Sequence, residues 1–186
     1  MRTNGSAPAS GKDMPSAGDS AVPGTGAYRD FLDSLNGTYA KVRRVLGLNG
    51  FSMARGFNSY AKMNRMPFRA KWGVRKKDIL TDIRRMLSED IPVVLSVGPN
   101  LVPGRKNPGV NFYPAEDKTR SQSVRVLDHY VTVTGVEKED DKIFLQIYSW
   151  GKMYLVDFDE YMRYIKSQPP LIGSLVTSIL CVTRSF

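Results

Sequence analysis

Asp128-His129-Tyr130-Val131-Thr132-Val133-Thr134-Gly135 and, one hairpin later, Tyr148-Ser149-Trp150-Gly151 decide how this chain reads. The first stretch alternates, and the pattern predicts a long strand over residues 124–136 with Leu127, His129, Val131 and Val133 on one side. Residues 137–142 form a charged turn, and residues 142–148 pair back on the strand before them. The only histidine thus sits on an apolar strand beside a Ser-Trp-Gly turn. Taken alone, a histidine among valines is ordinarily a packed, half-buried residue. The aromatic turn facing it is what suggests a site.

Working outward, Pro92 opens the short apolar run Val93-Val94-Leu95-Ser96-Val97, read as a buried strand. Residues 98–122 are polar and turn-rich, a long loop. Met153 to Val156 is a further short strand, Asp157 caps a helix running to Ile165, and residues 174–183 form the last strand. Upstream, Phe31, Leu32 and Leu35 recur at helical spacing until Asn36-Gly37 interrupts them. Tyr39, Val42 and Leu46 mark a second helical stretch, and Ser52 caps a third carrying Met53, Phe57 and Tyr60. Phe68, Ala70 and Trp72 alternate as a strand, and residues 77–89 return to helical period. The order predicts an α+β fold, with N-terminal helices packed on a mainly antiparallel sheet. Residues 1–26 are rich in Gly, Ser, Ala and Pro and read as a disordered tail, which leaves 27–186 as one folded domain.

The composition, 41% apolar in 186 residues, supports one core of ordinary size. No run is long enough for a membrane-spanning helix, and no secretory leader is visible, so the chain as written reads as cytoplasmic. One cysteine and one histidine exclude a conventional His/Cys metal centre, and no cofactor is implied. The net charge of +9 is concentrated: between residues 38 and 85, thirteen basic residues face only Asp78 and Asp82. Arg69, Lys71, Arg75, Lys76 and Lys77 are the centre of this candidate basic face, which suits an acidic partner. Nucleic acid is disfavoured, because Phe57, Tyr60, Phe68 and Trp72 fall at core spacing and no nucleic-acid motif is present.

The His129 and Ser149-Trp150-Gly151 layout resembles the base-bearing half of a papain-like cysteine peptidase. Such enzymes read His-Ala-Val or similar, then a hairpin, then Asn-Ser-Trp-Gly. The order Ile91-Pro92-Val93-Val94-Leu95-Ser96-Val97-Gly98 followed by His129-Tyr130-Val131-Thr132-Val133-Thr134-Gly135 is similar to the bacteriocin-processing (double-glycine leader) branch, over about residues 75–182. The resemblance implies a papain-like fold, peptide-bond hydrolysis and a peptide substrate or ligand. In it His129 is the general base and acid, Tyr148 stands at the orienting position, and Trp150 and Gly151 line the cleft. Ser149 is a fallback for orienting the imidazole, although alternation on its strand is expected to turn it to the opposite side.

The resemblance also exposes a gap. The family's nucleophile is a cysteine at the start of a helix upstream of the histidine, and no cysteine precedes His129. Cys181, mid-strand, reads as an inert core residue. The chain as written is therefore expected to be inactive, either because its start is missing a segment or as a pseudoenzyme that binds peptides. The alternative is a non-catalytic module that uses its basic face for an acidic peptide or nucleic acid.

Overall fold

The computed structural model describes residues 25–40, 48–74, 78–99, 104 and 106–185. Helix α1 spans Thr25–Ser34 and passes directly into a π-helical segment, Leu35–Ala40. Asn36-Gly37 therefore does not interrupt it. The tail expected over 1–26 lies outside the described residues except for Thr25 and Gly26, which open α1. Most of the second expected helical stretch, residues 41–47, also lies outside them.

Helix α2 spans Gly50–Met63. Its cap is Asn49, whose side chain accepts from the Ser52 N–H at 2.9 Å, so Ser52 is the capped residue and not the cap. Strand β1 covers Phe68–Trp72, and α3 covers Ile79–Ser88 behind its Asp78 cap. Strand β2 is Val93–Val97. The region expected as a continuous loop contains β3, Val110–Pro114. The long strand expected over 124–136 is broken at Leu127-Asp128 into β4, Val124–Val126, and β5, His129–Glu139. The break has a topological cause: β4 pairs only with β3 at one end of the sheet, whereas β5 lies in its middle.

Strands β6, Lys142–Ser149, and β7, Lys152–Asp157, follow. Asp157 caps α4, Phe158–Ser167, as its sequence predicts. Pro170 then starts a short helix α5, Pro170–Val176, where a strand was expected to begin, and β8 is confined to Ile179–Arg184. Proline at a first helical position loses no internal hydrogen bond, which favours this local choice.

The eight strands form one antiparallel sheet in the order β1-β8-β2-β5-β6-β7-β3-β4. One apolar core joins Ile79, Ile83 and Met86 of α3 and Tyr161 and Tyr164 of α4 to Val93, Leu95, Val131, Val133, Leu145 and Ile147 of the central strands. The α+β class and the packing of N-terminal helices on the sheet follow from this arrangement. The basic-face residues Arg69 and Lys71 are exposed on β1, and Arg75, Lys76 and Lys77 lie outside the described residues. Strand β1 is an edge, and Asn58 of α2 closes it: its amide donates to the Ala70 carbonyl at 2.8 Å and accepts from the Ala70 N–H at 2.7 Å.

A bulge between Val133 and Gly135 shifts the β5–β6 register by one residue. Before it, Val133 pairs with Ile147 and Thr132 with Tyr148; after it, Val136 pairs with Leu145. His129, Val131 and Val133 thus share a face with Ile147 and, two residues on, with Ser149.

Candidate functional site

Register parity settles which side chain meets the histidine. Ser149, at the end of β6, is 7% exposed, and its Oγ lies 2.8 Å from His129 Nε2. Tyr148 points the other way: it is 55% exposed, and its hydroxyl donates to the Gly151 carbonyl at 3.1 Å. The expected side for Ser149 is thereby corrected, and Tyr148 does not reach the imidazole. Among the described residues Ser149 is the imidazole's only hydrogen-bond partner, so Nδ1 is left without one.

Trp150 and Gly151 form the two-residue turn between β6 and β7, with Ser149 paired to Lys152. Both have positive φ, 48° and 73°, the backbone of a type I′ hairpin turn. Glycine adopts it freely, but a bulky residue there is strained by about 1–2 kcal/mol. The conformation sets the indole parallel to the imidazole, with 4.7 Å between ring centroids and 3° between planes. Phe112 and Tyr154 support the indole from behind, at 6.2 and 5.9 Å.

His129 opens onto a cavity of about 430 Å³. Its other walls are the start of α2 (Leu48, Asn49, Met53), the end of β2 (Ser96, Gly98, Pro99), Asp128 and Tyr130, and Leu175 and Val176 of α5. Trp72 fixes this assembly. Its ring lies against Gly50, where a Cβ would fall 2.0 Å from Cδ2, and its Nε1 donates to the Leu175 carbonyl at 3.0 Å. Its ring also meets Tyr130 edge-on at 6.4 Å. Gly98 in turn packs on Val176, whose carbonyl would sit 2.4 Å from an added Cβ. Two glycines and one indole therefore bring a helix start up to the histidine strand.

Burial works against charge at this site. Burial lowers the His129 pKa below its ordinary value, and the neighbouring Asp128 carboxylate opposes that only in part. Burial raises Asp128 and Tyr130 above their ordinary ranges. A Ser–His pair at 2.8 Å has the distance of a nucleophile and its base. Ser149 is only 7% exposed, however, which leaves little room for an incoming carbonyl at its hydroxyl. Cys181 is 5% exposed in β8 and is not among the residues that line this cavity. Among the described residues no three His, Cys, Asp or Glu side chains gather to hold a metal ion, and no helix is long and apolar enough to cross a membrane.

The walls supplied by Asn49, Met53, Leu175 and Val176 are not anticipated from the sequence. Asn49-Gly50 before a helical run carried the signal for the first of them. A scan against protein-family models and searches of curated proteins and of solved structures each found no match to this chain.

Proposed function

We propose that the chain is a papain-like, cysteine peptidase-like domain whose groove holds a peptide without cleaving it. The observation that carries this reading is the imidazole of His129, tied at Nε2 to Ser149 and covered by Trp150, lining the same cavity as the start of α2. Hydrolases of this type need a thiolate at a helix start, where the helix dipole and an imidazolium depress its pKa. Here that place belongs to Asn49, whose side-chain oxygen caps its own helix. An amide is no nucleophile.

Without a thiol to deprotonate, His129 becomes a recognition group. Ser149 can donate to Nε2 or accept from it, so Nδ1 can offer the groove either an N–H or a lone pair. A peptide backbone presents both partners. Leu48, Met53 and Leu175 offer apolar contact to its side chains.

The test uses the single histidine as a reporter. Addition of a pooled library of short unstructured peptides is expected to shift the His129 imidazole resonances, while casein incubated with the protein stays intact. Casein cleavage that disappears in Cys181→Ala would refute the reading. So would imidazole signals that no peptide perturbs.

A further inference from the structure

The solvent side of α2 carries a different set of residues. At about 100° per residue, Phe51, Arg55, Ser59, Lys62 and Met63 fall within roughly 120° of one another, a stripe about 18 Å long. All five are exposed, Phe51 by 48% and Met63 by 72%. Arg55, Ser59 and Lys62 join Lys71 of β1 around an open hollow of about 610 Å³, next to Asn58 and Trp72.

Residues 34–77 contain eleven Lys and Arg and no Asp or Glu. Elsewhere cations find carboxylates: Arg85 with Glu89, Arg120 with Glu139, Lys142 with Asp157. Among the described residues, no ion pair or side-chain hydrogen bond engages Arg55, Lys62 or Lys71. Among the described residues, three exposed large apolar side chains, Phe51, Met63 and Met66, lie in this same stretch, and Phe31 and Leu32 lie just before it between Asp30 and Asp33. The Phe31 ring meets Tyr60 of α2 at 6.2 Å, so α1 lies beside the stripe.

We propose that this α2–β1 face docks on an anionic lipid surface, its cations on the headgroups and Phe51 and Met63 in the acyl boundary. Cations interleaved with exposed apolar side chains match a surface that is charged above and oily below. Single-stranded nucleic acid needs successive stacking platforms, and of the five stripe residues only Phe51 is aromatic. An extended acidic peptide would seek the free edge of β1, which Asn58 already occupies.

Sedimentation of the full chain with vesicles tests this. Binding is expected to phosphatidylcholine vesicles containing about one-third phosphatidylserine and not to phosphatidylcholine alone. It weakens steeply from about 0.1 to 1 M salt, as the screening length falls from roughly 10 to 3 Å. Each cation is expected to contribute about fivefold, so Arg55→Ala/Lys62→Ala/Lys71→Ala together lose roughly 100-fold. Phe51→Ser/Met63→Ser is expected to abolish the binding that survives high salt. An unchanged thermal melt and unchanged His129 resonances establish that these variants fold, and His129→Ala is expected to bind vesicles normally. Equal binding to neutral vesicles would overturn the proposal, as would a triple variant that binds like the parent. A single-stranded oligonucleotide captured in preference to phosphatidylserine vesicles would also overturn it.

Discussion

His129 and Trp150 lie face to face, their planes 3° apart, and the tryptophan reaches this position only through a left-handed backbone at φ 48°. A strained aromatic over a solitary imidazole is a costly arrangement for a hairpin that an Asn-Gly turn would close more easily. Trp150→Asn separates the two roles. Stability is expected to stay within about 1 kcal/mol of the parent, since relief of strain offsets lost stacking. Peptide-induced shifts at His129 are expected to vanish, and thermal melts run alongside NMR titrations check both.

The histidine is expected to titrate below 6.5, because burial disfavours its charged form. In the unfolded chain the imidazole keeps its ordinary value and takes up a proton first. Folding stability therefore falls as the pH drops through 6.5 toward the folded value, and this group has no effect above that window. Urea melts from pH 5 to 7.5 should show this slope flattened in His129→Gln. In Trp150→Asn, with the imidazole uncovered, the NMR-measured pKa is expected to rise toward the ordinary value.

Ser149 and Tyr148 are neighbours in sequence with opposite consequences. Ser149→Ala leaves a partly buried Nε2 without its partner and is expected to cost about 1–2 kcal/mol, with a displaced His129 resonance. Tyr148→Phe removes only an exposed hydroxyl that bonds within its own turn. Its effect is expected to be below about 0.5 kcal/mol, with the imidazole signal unmoved.

Gly50 is the fourth test point. Alanine is ordinarily the better helix former, yet its Cβ would lie 2.0 Å from the Trp72 ring. Gly50→Ala is expected to lose roughly 2 kcal/mol by overpacking. It is also expected to push the start of α2 off the groove and, on the proposed reading, to weaken peptide binding beyond the stability loss. Gly50→Ala paired with Trp72→Leu should recover part of both, since the smaller side chain makes room.

Much of this architecture is legible in the residues. Strands with strict alternation or unbroken apolar runs, such as Phe68–Trp72 and Val93–Val97, fall where periodicity puts them, as does the Asp157-capped helix. Position 149 is harder. Parity along β6 depends on where β5 bulges, and the extra residue at Thr134 has no signature beyond the adjacent Gly135. Strand β3 hides because Val110-Asn111-Phe112 is short and flanked by prolines and polar turns. Helix α5 hides because Leu175 and Val176 read equally well as the start of β8. The groove is least legible of all, since its walls come from four segments brought together by Gly50, Gly98 and Trp72.

The proposed kinship of this groove with a peptidase site rests on α2 presenting its first residues to His129. Asn49→Cys places a thiol there, and the buried Cys181 serves as an internal control. The decisive measurement is the pH dependence of Asn49→Cys alkylation by iodoacetamide. An apparent thiol pKa well below the ordinary 8.5 or so, moving upward when His129→Ala is added, is the expected result. A thiol that titrates at or above its ordinary value, indifferent to His129, would contradict it.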